Sequence, residues 1–223
     1  MKKKNLKLFF VGVSLLVAFA LWTMLVSFID VKEVGPQKSF VGFATLNAHF
    51  HKITGVNMPL YVITDWLSLV PIGIVFGFAI LGLAQWIKRK KLLKVDLSIL
   101  TLGAFYIILM VIYIFFEIVI INYRPILING YLEASYPSST TMLVMCVMLT
   151  SIIHFRARIK NNLLRKIINS TITAFIAFMV IGRLLSGVHW VTDIIGGVML
   201  SIALVLMYYS LDKIITQKVM DLY

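Results

Sequence analysis

The stretch LSILTLGAFYIILMVIYIFFEIVII occupies residues 97–121 and carries one charged side chain, Glu117. A helix rising about 1.5 Å per residue needs about 20 apolar residues to cross a hydrocarbon layer about 30 Å thick. This run is long enough, and lipid offers no partner for a bare backbone amide, so it must be helical. The alternation of apolar and polar residues that a membrane β-strand requires is absent. Five further runs read the same way: 8–29, 66–87, 140–155, 167–185 and 194–211. Of the 223 residues, 61% are hydrophobic, and the mean hydropathy is +0.97. The fold class is therefore an all-α membrane protein, a six-transmembrane helix bundle, with residues 1–223 forming a single membrane domain.

The net charge of +12 suggests nucleic acid only until the cations are placed. Sixteen of the 21 Lys and Arg residues fall on one side of the six spans, at 2–7, 88–94, 156–166 and 213–218. The other five are Lys32, Lys38, Lys52, Arg124 and Arg183. By the positive-inside rule both termini are cytoplasmic, and the charge serves topology and anionic headgroups rather than nucleic acid. The N-terminal lysines and Ala18-Phe19-Ala20 resemble a signal peptide. The apolar run continues to Ile29, so an uncleaved first span is expected. The lone Cys146 lies inside a span and reads as a small apolar core residue.

Three segments then face outward: 30–65, 122–139 and 185–193. The first contains FATLNAHFHKITGV, residues 43–56, which reads as an interfacial helix acting as an anchor or a lid. His49 and His51 lack the further ligands a metal site needs. Asp65 and His154 read as interfacial or capping residues, with Asp65 facing the site as the lesser alternative.

The remaining ionisable groups collect at the outer face. Glu117 and Arg124 flank the end of the third span, Arg183 ends the fifth, and His189 and Asp193 open the sixth. Ionisable groups inside or beside a membrane are functional candidates by default. At a spacing of four, His189 and Asp193 are expected on one helix face. The carboxylate would accept from one ring nitrogen and leave the other as a nucleophile. Two arginines offer forked donors to a phosphate. Pro137, Ser138, Ser139 and Thr140 stand where a helix start provides free N–H groups for an anion.

Arg124-Pro125, Pro137-Ser138-Ser139 and the R-x5-H-x3-D pattern of Arg183, His189 and Asp193 resemble the three signatures of the type 2 phosphatidic acid phosphatase superfamily, in its membrane branch. The resemblance implies that His189 attacks phosphorus, that Asp193 orients it, and that Arg124 and Arg183 bind the phosphoryl oxygens. Ser138, Ser139, Thr140 and nearby amides would complete the phosphate cradle. It also implies no cofactor and no metal.

The sequence departs from the pattern at three positions. Glu117 stands where the first signature has lysine, Thr140 where the second has the histidine that protonates the leaving group, and Gly182 where the third has serine. A threonine hydroxyl is too weak an acid for that task. Three consequences are open. In the first, the substrate is a diphosphate whose leaving group needs no proton, with polyprenyl (undecaprenyl) diphosphate as the expectation. In the second, Glu117 serves as acid and base, its alternative role being a bridge to Arg124. Or hydrolysis is lost, leaving a lipid-phosphate binding or transfer protein. Phosphatidic acid and phosphatidylglycerophosphate are the other candidate substrates, and a phosphotransferase lies between these options. Thr140 is also expected to cap the fourth span. The expected location is the plasma membrane of a bacterium, with the site extracytoplasmic. The oligomeric state is open.

Overall fold

The computed structural model describes residues 2–220, so the outermost ends of the 1–223 domain lie outside the described residues. Among the described residues eight α-helices follow in order: α1 (Lys2–Phe28), α2 (Ala44–Thr54), α3 (Met58–Leu67), α4 (Leu69–Arg89), α5 (Leu97–Ile118), α6 (Ser139–Arg158), α7 (Asn162–Leu185) and α8 (Val191–Met220). No strand occurs among the described residues, only isolated bridges. Six of the described segments are long and apolar enough to cross a membrane: α1, α3 with α4, α5, α6, α7 and α8. The protein is an all-α, multi-pass membrane protein.

The helices sort themselves by what surrounds them. α6 and α8 are the inner pair, with 61% and 50% of their spanning windows buried, whereas the others bury 11–22%. The sequence explains this: α6 is small or apolar on every face, so it suits neighbours all round. Cys146 lies there, fully buried. α1 packs along α8, α7 and α4 flank α6, and α3 lies on α7. Outward-facing Phe10, Phe76, Ile107 and Ile118 are more than half exposed, an arrangement that suits lipid rather than water.

Several ends differ from the sequence expectation. The second span starts at Met58 rather than 66, because Asn57 caps Leu60 N–H at 3.0 Å and Pro59 suits a first turn. Only a break at Ser68 separates α3 from α4. The third span stops at Ile118, where Val119 leaves helical geometry, rather than at 121. α1, α7 and α8 extend beyond 8–29, 167–185 and 194–211 by a turn or more at one end, and α6 exceeds 140–155 by one residue at its start and three at its end. The helix expected within 43–56 is α2.

His154 caps no helix end. It is buried in α6, its Nε2 is 2.6 Å from Tyr208 Oη, and Arg158 Nη1 donates to its Nδ1 at 3.0 Å. A buried imidazole needs partners, and these satisfy both ring nitrogens.

Candidate active site

One end of the bundle gathers the outer segments. Trp22 Nε1 donates to Thr192 O at 3.3 Å, tying α1 to α8. Asn57 N donates to Ser186 O at 2.9 Å, tying the start of α3 to the end of α7. α2 docks on the start of α8 through Asn47, whose Nδ2 donates to Thr192 Oγ1 at 3.0 Å. His51 Nε2–H donates to Gly187 O at 3.1 Å, whereas His49 is exposed. Gly187 has φ +67, and an added Cβ would fall 1.9 Å from Gly55 O, so glycine is required there.

The segment between α5 and α6 folds back on itself. Arg124 N donates to Glu133 O at 3.0 Å and Ser135 N to Asn122 O at 2.9 Å. Gly42 N donates to Asn122 Oδ1 at 3.1 Å. Trp190 Nε1 donates to Tyr123 O at 2.7 Å. These bonds fix Arg124 and Ser135 on rigid backbone beside the start of α8.

The helix starts at α6 and α8 meet. Ser138 N donates to Asp193 O at 3.0 Å. Ser138, not Thr140, caps α6: its Oγ accepts from Thr141 N at 3.4 Å, which leaves Thr140 buried in the first turn. Ser139 is partly exposed.

His189 and Asp193 are both buried, but they do not share a helix face. α8 begins at Val191, because Asp193 Oδ2 reaches back to accept from Trp190 N at 2.8 Å. His189 lies before the helix, and its Nδ1 is 3.7 Å from Asp193 Oδ2, beyond hydrogen-bond distance. Ser135 Oγ fills the gap, 3.1 Å from His189 Nδ1 and in a short hydrogen bond to Asp193 Oδ2. No local pattern in the sequence marks Ser135, although it lies two residues before the Pro137 motif.

On the other side of the ring, Arg124 Nη1 is 3.4 Å from His189 Nε2. A guanidinium only donates, so Nε2 accepts and the proton of the neutral ring sits on Nδ1. Burial pushes the His189 pKa well below its ordinary 6.5, and the fields of Arg124 and Arg183 push it the same way. His189 is thus a neutral imidazole with its Nε2 lone pair turned toward a cation.

The expected Glu117–Arg124 bridge is not the one that forms. Glu133 Oε2 lies 3.0 Å from Arg124 Nε, though out of line for a hydrogen bond. The backbone bond between these two residues places them together, while Glu117 is carried on an exposed face of α5. Glu117 instead lines a small cleft with Tyr113, Ser135 and Ser139.

Asp65 is not a cap: its Oδ1 sits 3.7 Å from Arg183 Nη1. Arg183 is 1% exposed and stacks over the Tyr61 ring at 4.9 Å. Its Nε and Nη1 have no hydrogen-bond partner. Gly182 makes room for this packing, since a Cβ there would lie 2.8 Å from Thr64 Cγ2. Among the described residues no three His, Cys, Asp or Glu side chains converge as a metal-ligand group. Two buried guanidiniums with unused donors, beside a neutral imidazole, can hold a tetrahedral oxyanion and present phosphorus to a nitrogen.

A family model described as the PAP2 superfamily matches residues 117–216. Among solved structures, the chain is similar to the crystal structure of a transmembrane PAP2 type phosphatidylglycerolphosphate phosphatase from Bacillus subtilis. The TM-score is 0.51 at 20% identity, over 91% of this chain and 96% of that one. At that identity the likeness concerns the fold. No curated protein sequence matches the chain.

Proposed function

We propose that the chain, whose residues 117–216 match the PAP2 superfamily model, is a lipid phosphate hydrolase whose nucleophile is His189. The observation that carries this is the buried, neutral His189, with Arg124 Nη1 at 3.4 Å from its Nε2 and with Arg183 donors unspent. Nε2 attacks phosphorus, a nitrogen–phosphorus bond forms, and the bond to the leaving oxygen breaks with its electron pair going to the leaving group. Water then cleaves the phosphohistidine, releasing phosphate and restoring the imidazole. Arg124 and Arg183 hold the phosphoryl oxygens in both steps, and Ser138, Ser139, Thr140 and the first-turn amides of α6 complete the cradle.

The leaving group decides the substrate. Thr140 supplies no acid, so a leaving group that departs as an anion is favoured. A lipid diphosphate meets that requirement, since a lipid monophosphate leaves without first taking up a proton. The proposed substrate is a polyprenyl diphosphate of the undecaprenyl type, handled at the extracytoplasmic face of a bacterial plasma membrane. The sixteen cations that the sequence places at the opposite ends of the spans support this side. A second assignment has one observation in its favour: Glu117 lines the same cleft as Ser135 and Ser139. As an acid there, it would open the reaction to lipid monophosphates such as phosphatidic acid or phosphatidylglycerophosphate.

The test is phosphate release by the purified protein from polyprenyl diphosphate, phosphatidic acid and phosphatidylglycerophosphate. Release from the diphosphate above the monoesters is expected, and none from His189→Ala. Binding of all three without turnover would instead identify a lipid-phosphate carrier.

A further inference from the structure

One buried side chain beside the nucleophile has no part in the reaction just described. Ser135 is 2% exposed, and its backbone N–H is anchored on Asn122 O at 2.9 Å. Its Oγ lies between His189 Nδ1 and Asp193 Oδ2, which are themselves 3.7 Å apart.

The directions of these bonds follow by elimination. Arg124 can only donate, so His189 Nε2 accepts and Nδ1 holds the ring proton. Nδ1–H therefore donates to Ser135 Oγ. The hydroxyl has a single proton, and that proton goes to Asp193 Oδ2. Asp193 is held in turn by Trp190 N at 2.8 Å. The result is a one-way chain of donors from imidazole to hydroxyl to carboxylate.

We infer that Ser135 is a positioning residue, which couples Asp193 to His189 and holds the imidazole with its Nε2 facing the phosphate. This assignment rests on His189 being the nucleophile. With the hydroxyl gone, the 3.7 Å gap to the carboxylate stays open, and Nδ1 is left beside the Ser135 backbone carbonyl with no link to Asp193. A ring free to rotate, or to move its proton to Nε2, presents no lone pair to phosphorus. The loss falls on the chemical step and spares binding, because the arginines are untouched.

The test uses the full chain in detergent micelles with 15N-labelled histidine. The His189 signal is identified by its absence in His189→Asn. In the native protein and in Ser135→Thr, the Nδ1–H tautomer is expected to dominate. In Ser135→Ala and Ser135→Gly, a mixture of tautomers is expected. Phosphate release from polyprenyl diphosphate should fall about 10- to 100-fold in kcat in the alanine variant, with KM within about twofold, and recover in the threonine variant. Ser135→Gly repeats the loss without an added methyl group, should threonine not fit. A native tautomer and native kcat in both smaller variants would overturn the assignment. If the native protein releases no phosphate, the hydrolase function fails on its own, and the tautomer spectrum still decides the role of Ser135.

Discussion

Arg183→Met should remove most turnover while leaving the bundle as stable as before, or more so. The guanidinium is 1% exposed, and two of its nitrogens have no hydrogen-bond partner. What it gains from the protein is small. The Tyr61 ring at 4.9 Å contributes about 1 kcal/mol. The Asp65 carboxylate is 3.7 Å away and 57% exposed, which makes it worth less than about 1 kcal/mol. Desolvating the cation costs several kcal/mol, and methionine of similar reach removes that cost. The expected change in stability is therefore between zero and a gain of about 3 kcal/mol, read as an unchanged or raised melting temperature in detergent. Catalysis moves the other way. Two charge-assisted hydrogen bonds to a phosphoryl group, at about 1.5–3 kcal/mol each, correspond to a loss of about 10²- to 10⁴-fold in kcat/KM. A variant that melts several degrees lower yet releases phosphate normally would refute the argument, by making Arg183 a structural tie to α3.

Glu117→Gln separates the two leaving-group proposals. If the substrate is a diphosphate that needs no acid, its rate stays within about threefold of native; an acid role predicts a loss of about 10²-fold or more. Thr140→His places an imidazole in the buried first turn of α6, and should raise turnover of lipid monophosphates about 10-fold or more relative to diphosphates. Equal changes for both substrate classes would count against that leaving-group account. The depressed pKa of His189 has a signed consequence. Stability is complete above pH 6.5 and declines below it, as the unfolded chain takes up a proton that the buried ring refuses. Melting curves of native protein and His189→Gln should therefore diverge in the variant's favour only below pH 6.5, and a constant difference across pH contradicts this. Gly187→Ala forces a side chain onto φ +67 with its Cβ 1.9 Å from Gly55 O. A lower melting temperature and lost turnover are expected, since His189 lies two residues on; native behaviour in both assays would show that the Gly55 contact is easily relaxed.

The six spans were legible because crossing lipid is a one-dimensional requirement. Residues 97–121 announce a helix through length and lack of charge alone, and 194–211 does the same without reference to any neighbour. The types at Arg124, Arg183, His189 and Asp193 were legible for a related reason, as a charge kept within an apolar chain is costly enough to stand out. Their partners were not legible. Ser135 joins His189 to Asp193 because the segment after α5 folds back and α8 starts at Val191 rather than before His189. Glu133 rather than Glu117 meets Arg124 through that same turn, and Asp65 meets Arg183 because α3 lies on α7. Helix periodicity says which residues share a face within one element. Loop closure and the packing of separate helices decide which side chains meet, and those depend on the whole chain at once.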